Sequence, residues 1–66
     1  MQITVNGKPR NVPDGTTAAA LIDTLELSGR RLAMEVNGEI VPKSRHAVHG
    51  LAPGDRVEIV HAVGGG

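Results

Sequence analysis

The sequence of 66 residues contains no cysteine and no phenylalanine, tyrosine or tryptophan. Without cysteine, the chain can form no disulfide, no thiolate zinc site and no cysteine-ligated iron–sulfur cluster, and it has no cysteine nucleophile. Without aromatic side chains, it lacks the stacking platforms that bind single-stranded nucleic acids. A domain of this size sits near the limit of independent stability. Because it has neither disulfides nor aromatic residues, its core must be aliphatic and built from regular secondary structure.

Net charge and long apolar runs are also missing. Seven basic residues balance seven acidic residues, which argues against nucleic-acid binding through phosphate contacts. No apolar run approaches the ~20 residues of a membrane-spanning helix, and the residues after Met1 do not form a signal peptide. We therefore expect a soluble cytoplasmic domain that binds neither nucleic acids nor membranes.

Two β-hairpins are predicted by similar local sequences. Asn6-Gly7 and Asn37-Gly38 each follow a run of alternating apolar residues, and Asn-Gly suits a type I′ turn in which both central residues have positive φ. Pro9 lies in the return strand of the first hairpin, and because proline has no amide hydrogen this strand should lie at a sheet edge.

A helix is predicted between the two hairpins. Thr16 or Thr17 can cap its first amides, and Gly29 is placed to end it in a left-handed conformation. The predicted apolar stripe, at positions i, i+3, i+4 and i+7, consists of Ala18, Leu21, Ile22 and Leu25.

The last predicted strand, RVEIVHAV, has apolar residues on both faces and follows a predicted type II turn at Pro53-Gly54. One face carries Val57, Ile59, His61 and Val63, and the other carries Arg56, Glu58, Val60 and Ala62. Such a strand is central in its sheet or meets a partner on its outer face. Placed between the two hairpins, it gives an α+β fold with a mixed sheet of four to five strands and one main helix across one face.

Motifs for catalysis are weak. His46 and His49 have helical spacing but no clear third metal ligand, and they are interpreted as ordinary surface histidines. The sequence has no glycine-flanked nucleophilic serine and no glycine-rich phosphate loop, and so short a chain is not expected to enclose a pocket of ~300 Å³. The chain is therefore predicted not to be an enzyme.

The three glycines of the final HAVGGG allow two interpretations. They are a frayed end without function, or they are a narrow arm that threads a slot in a partner and presents the α-carboxylate of Gly66. A carboxylate is a poor electrophile, but its adenylate, made from ATP, is a good one. A sulfur nucleophile could then displace AMP and leave a thiocarboxylate, with no catalytic side chain needed in this protein.

Across its whole length the sequence resembles the ubiquitin-like β-grasp sulfur carriers, and within them the ThiS family of thiamine biosynthesis. The resemblance rests on the early VNG, on VNGEIVPKS in the middle, and on LAPGDRVEIVHAVGGG. It implies a β-grasp domain over residues 1–63 and a flexible glycine tail over residues 64–66.

The resemblance also implies a role for the tail. In the family, a ThiF-type adenylyltransferase uses ATP and Mg²⁺ to activate the terminal glycine, here Gly66. A sulfur-donor enzyme supplies the sulfur of the thiocarboxylate, which then passes to the thiazole synthase ThiG. Gly64 and Gly65 would form the arm that threads into partner sites, and Val60, Ala62 and Val63 would contribute to docking. The resemblance implies a monomer that binds no cofactor stably.

Two alternatives stay open. The small subunit of molybdopterin synthase uses the same tail chemistry, although its relatives are usually longer and carry aromatic core residues. A β-grasp module that only docks onto a protein or RNA would need no free terminal glycine. A β-grasp ferredoxin is excluded by the lack of cysteine.

Overall fold

Five strands, one α-helix and one short 3-10 helix make up residues 1–61, the part of the chain that the computed structural model describes. The elements are β1 (Gln2–Val5), β2 (Lys8–Asn11), α1 (Ala18–Thr24), β3 (Leu32–Val36), β4 (Glu39–Val41), the 3-10 helix (Lys43–Arg45) and β5 (Arg56–His61). The strands form one sheet in the order β2-β1-β5-β3-β4. The predicted α+β fold, with the last strand between two hairpins, is confirmed.

Strand β5 is the centre of this mixed sheet. It runs parallel to β1, with Thr4 opposite Arg56 and Val5 opposite Val57. It runs antiparallel to β3 over a longer register, from Val36 opposite Val57 to Leu32 opposite His61. The sheet is therefore joined across its middle by a strand that lies at the end of the described chain.

Both Asn-Gly turns have the predicted conformation. Asn6 and Gly7 have φ values of 51° and 81°, and Asn37 and Gly38 have values of 53° and 85°. Positive φ at both central positions is the mark of a type I′ turn, which matches the twist of the two strands that it joins. Strand β2, which contains Pro9, is exposed along its length and lies at the sheet edge as predicted.

The helix begins where the sequence predicts. Thr17 is the N-cap, and its hydroxyl accepts a hydrogen bond from the Ala20 amide at 3.2 Å. The two amides before Ala20 are satisfied by a neighbouring loop. Ala18 donates to the His49 carbonyl and Ala19 donates to the His46 carbonyl, each at 2.9 Å. The first turn of α1 is thus tied to the connection between β4 and β5.

The prediction that Gly29 ends the helix is wrong. Helix α1 ends at Thr24, and Glu26 adopts the left-handed conformation with φ of 60°. The Glu26 amide donates to the Asp23 carbonyl and the Leu27 amide donates to the Ile22 carbonyl, at 2.9 and 3.0 Å. These two bonds form a Schellman motif, so a non-glycine residue takes the strained position that usually selects glycine. Gly29 also has positive φ, but it serves the following turn.

The core lies between α1 and one face of the sheet. Its buried side chains are Ile3, Val12, Ala18, Leu21, Met34, Val36, Val41, Leu51, Val57 and Ile59. All are aliphatic or methionine, as the composition requires. Ile22 and Leu25, the other members of the predicted stripe, are only partly buried and pack at the margin of this core.

We predict that Leu21→Ala destabilises the domain by about 2–5 kcal/mol, because Leu21 has no exposed surface and its truncation leaves a cavity. Urea unfolding followed by circular dichroism measures the loss, which is large against the roughly 5 kcal/mol expected for so small a domain. Val48→Ala is the matched control, since Val48 is 72% exposed. Equal unfolding midpoints for the two variants would contradict the assignment of the core.

Candidate functional site

The candidate site is the end of β5 and the glycine tail that follows it. Of the residues predicted to function there, Ala62, Val63, Gly64, Gly65 and Gly66 lie outside the described residues. Their assigned roles, and the boundary between domain and tail after Val63, therefore stay predictions. Val60 lies within β5 and can be placed.

Asn6 joins the end of β1 to β5 through its side chain. Its Oδ1 accepts a hydrogen bond from the Ile59 amide at 2.8 Å, and its Nδ2 donates to the Ile59 carbonyl at 3.1 Å. The Asn6 backbone amide also donates to the Val57 carbonyl at 2.9 Å. The side-chain amide thus acts as one further backbone unit of β1, at the point where the chain of β1 turns away.

Asn37 makes the corresponding contacts at the opposite end of β5. Its Oδ1 accepts from the Arg56 amide at 2.9 Å, its backbone amide donates to the Arg56 carbonyl at 2.8 Å, and its Nδ2 donates to Asp55 Oδ1 at 3.0 Å. The two Val-Asn-Gly turns therefore hold the two ends of one central strand, from opposite sides.

An open cleft of about 370 Å³ lies beside the end of β5. Val5, Leu25, Leu27 and Ile59 give it apolar walls, and Lys8, Arg10 and His61 give it polar ones. The cleft borders His61, the last described residue, so a partner that holds the tail would approach this part of the surface. Although its volume exceeds ~300 Å³, the cleft is open to solvent, so it is not the enclosed pocket that so short a chain is expected to lack.

The sheet face opposite the helix is open. Val60 lies on it with 59% of its surface exposed, directly opposite Ala33 of β3. Ile40 of β4 lies on the same face and is 73% exposed. We call the residues Ala33, Glu35, Ile40, Glu58 and Val60 the open face. The predicted separation of Val57 and Ile59 from Val60 by strand alternation is confirmed, because the first two are buried and Val60 is not.

Two carboxylates face each other on the open face. Glu35 and Glu58 are opposite neighbours in the pairing of β3 with β5. Like charges at opposite positions of a sheet destabilise it, so this arrangement does not serve the fold. A basic side chain of a partner would relieve the repulsion, while Val60 and Ile40 beside it offer apolar contact.

Sequence reasoning missed the role of the two asparagines and the burial of one histidine. Asn6 and Asn37 were interpreted only as turn residues. His46, interpreted as a surface residue, is 8% exposed, and its Nε2 lies 3.0 Å from the Val41 carbonyl, to which it donates. The sequence around His46 contains no local pattern from which this burial could be predicted. His49 is partly exposed.

Two further features of residues 1–61 bear on the class of protein. None of their helices is long and apolar enough to cross a membrane. Within the same residues, no group of three histidine, cysteine or carboxylate side chains is arranged to hold a metal ion.

Comparison with known proteins identifies the family. The family model described as ThiS matches residues 3–66, nearly the whole chain. The chain belongs to the ThiS family. The crystal structure of the thiamine biosynthesis protein ThiS from Geobacter metallireducens superposes with a TM-score of 0.87 at 30% sequence identity, over 100% of both chains. The ubiquitin-like β-grasp fold that the sequence predicts is therefore confirmed.

Two curated relatives are larger proteins, and only a segment of each is similar to this chain. The chain is 42% identical over 66 residues to a thiazole synthase of Paramagnetospirillum magneticum and 35% identical to one of Magnetococcus marinus. The match covers all of this chain but only 20% of either synthase. The chain thus spans about a fifth of the length of these curated relatives.

Proposed function

We propose that this ThiS-family chain is a sulfur carrier of thiamine biosynthesis, itself without catalytic activity, that bears sulfur on Gly66. The observation that carries the proposal is the family match, which extends through the glycines to residue 66. The likeness to a thiamine biosynthesis protein over its full length supports the same conclusion.

The chemistry proceeds in two steps at the α-carboxylate of Gly66. In the first, a carboxylate oxygen attacks the α-phosphorus of ATP, with Mg²⁺, in the site of a ThiF-type adenylyltransferase, and pyrophosphate leaves. In the second, a sulfur nucleophile at the oxidation level of sulfide attacks the carbonyl carbon. The new C–S bond replaces the C–O bond to AMP, and the products are a thiocarboxylate, AMP and a proton. The sulfur comes from a separate sulfur-donor enzyme.

We propose a thiazole synthase of the ThiG type as the acceptor. In two bacterial proteins named thiazole synthase, a segment of one fifth of the length is similar to this entire chain. A carrier that is part of the same polypeptide as a synthase meets it at high effective concentration. This relationship favours delivery to thiazole formation over delivery to molybdopterin formation.

The open face is the proposed docking surface for the activating partner. It combines the exposed Val60 and Ile40 with the paired carboxylates Glu35 and Glu58. Exposed apolar side chains beside charge that the fold does not use are typical of a partner-binding surface. Ala62 and Val63 are proposed to extend this contact toward the tail.

The first test is the intact mass of the protein after incubation with a ThiF-type enzyme, ATP and sulfide. We expect an increase equal to the exchange of one oxygen for one sulfur, located on Gly66 by fragmentation of the peptide. A known ThiS protein in the same mixture confirms that the enzyme is active. No change in mass beside a modified control would overturn the proposal.

We predict that deletion of Gly66 leaves the unfolding midpoint unchanged and abolishes thiazole formation in a reconstituted synthase assay. The core and sheet are formed within residues 1–61, whereas the deletion moves the terminal carboxylate back to Gly65, one residue short of the partner's reactive centre. The same thiazole yield from the shortened chain would favour a docking module without sulfur transfer.

We predict that Gly65→Val blocks adenylation, because a branched side chain would widen the arm where it threads the partner's slot. ATP-dependent release of pyrophosphate measures the step, and Ala52→Val is the control, since Ala52 is exposed in a loop. Adenylation of Gly65→Val at the wild-type rate would contradict threading while leaving the carrier chemistry possible.

We predict that Val60→Arg weakens binding to the activating enzyme by about tenfold without loss of stability. The new guanidinium would lie near Glu58 in the folded domain, but it would occupy the apolar part of the open face. Titration calorimetry measures the affinity, with Val48→Arg as a control at another exposed valine, 72% exposed against 59% for Val60. Equal affinities of the two variants would remove Val60 from the docking surface.

A further inference from the structure

The proposed function requires Gly66 to reach a reactive centre in a partner, so the direction in which β5 leaves the sheet matters. We propose that Asn6 is a positioning residue for sulfur transfer. Its side-chain amide fixes the end of β5 and so sets the direction from which the tail enters the partner. This inference rests on the proposed function and adds to it a residue distant from Gly66 in sequence.

The pairing of β1 with β5 is too short to hold the end of β5 by backbone contacts. It comprises Thr4 opposite Arg56 and Val5 opposite Val57, after which β1 turns away at Asn6. The side chain of Asn6 continues the pairing to Ile59 with hydrogen bonds of 2.8 and 3.1 Å. Along the edge of β5 that faces β1, hydrogen bonds thus extend to Ile59, two residues beyond Val57, the last residue that pairs with β1.

Loss of this amide would free one edge of β5. The Ile59 amide and carbonyl would lose these partners. Because buried or half-buried backbone groups need hydrogen-bond partners, water would have to take the place of Asn6 or the strand would have to move. Ile59 would then be held only at the other edge, as Val60 and His61 already are through their pairing with Ala33 and Leu32 at the beginning of β3. We expect this segment to open more often.

Gly66 follows His61 by five residues in the sequence, so the direction of the β5 end is consequential. A chain of five residues spans at most about 17 Å even when fully extended. A misplacement of about 1 Å in a reacting group can cost roughly a hundredfold in rate. A partner that binds the domain and the tail together therefore gains from a β5 end that already points toward its slot.

Asn37 provides a matched control within the same chain. It occupies the same Val-Asn-Gly sequence, has φ of 53° against 51° for Asn6, and also accepts from an amide of β5 through Oδ1. However, it binds Arg56, the first residue of β5, at the end remote from the tail. Equivalent substitutions at the two asparagines therefore remove similar contacts, one near the beginning of β5 and one nearer its end.

The test uses Asn6→Gly and Asn37→Gly in the full chain. Glycine accepts the positive φ of both turns, so each variant keeps its turn and loses only the side-chain amide. A second variant, Asn6→Asp, keeps an acceptor for the Ile59 amide but loses the donor to the Ile59 carbonyl. Circular dichroism and urea unfolding establish that each variant is folded under the assay conditions.

Steady-state adenylation with a ThiF-type enzyme gives the first readout. We expect Asn6→Gly to lower kcat by about tenfold or more, with KM within about twofold, because the docking surface is intact and fewer bound carriers present an aligned tail. We expect Asn6→Asp to lower kcat as well, because a carboxylate oxygen would face the Ile59 carbonyl oxygen where the wild type has a donor. Asn37→Gly should keep both kinetic parameters within about twofold of the wild type.

Amide hydrogen exchange gives a second readout that needs no partner. Asn6→Gly should raise exchange by about tenfold at Ile59 and increase it at Val60, whereas Asn37→Gly should raise it at Arg56. This measurement tests the hydrogen bonds themselves, independently of sulfur chemistry.

The outcomes separate the two proposals. If the wild-type chain gains no sulfur beside an active control, the proposed function fails and the role of Asn6 fails with it. If the wild type is modified but Asn6→Gly and Asn37→Gly have equal kcat, or if exchange at Ile59 is unchanged in Asn6→Gly, only the role of Asn6 is overturned. A selective loss of kcat with selective exchange near the tail supports it.

Discussion

The architecture depends on satisfying both edges of one central strand with two short neighbours. Strand β5 needs hydrogen-bond partners on both sides, yet β1 and β3 each end in a tight turn beside it. The side chains of Asn6 and Asn37 supply the missing backbone partners at opposite ends. The residue that gives each turn its positive φ therefore also fastens that turn to β5, which links local turn geometry to the topology of the whole sheet.

This use of asparagine suits a domain with few other means of stabilisation. The core is small and aliphatic, and the described residues contain one ion pair, between the Met1 ammonium and the exposed Asp14 at 3.3 Å. Because Asp14 is 90% exposed, water screens this pair and it contributes little to stability. Besides the burial of Val57 and Ile59 in the core, order in β5 comes from hydrogen bonds, two of which the Asn6 side-chain amide supplies at Ile59.

The parts of the fold that the sequence predicts are those with local causes. The Asn-Gly turns follow from positive φ, the edge position of β2 follows from Pro9, and the central position of β5 follows from apolar residues on both faces. The helix end could not be predicted in this way, because Glu26 takes a left-handed conformation that non-glycine residues disfavour, while Leu25 and Leu27 on either side of it pack against the core. Likewise, the bond from Asn6 to Ile59 spans 53 positions, and burial of His46 depends on the Val41 carbonyl.

The same distinction applies to the site. The glycines and the family resemblance predict a functional tail from the sequence alone, whereas the surface around the end of β5 depends on residues far apart in the chain. The open face joins β3, β4 and β5, and the cleft beside His61 joins β1, β2 and the segment after α1. In the proposed carrier, the chemistry would occur in partner proteins, so selection can act on the presentation of the tail rather than on reactive side chains. Under this proposal, the residues that hold β5 in place bear on sulfur transfer although none of them would touch the sulfur.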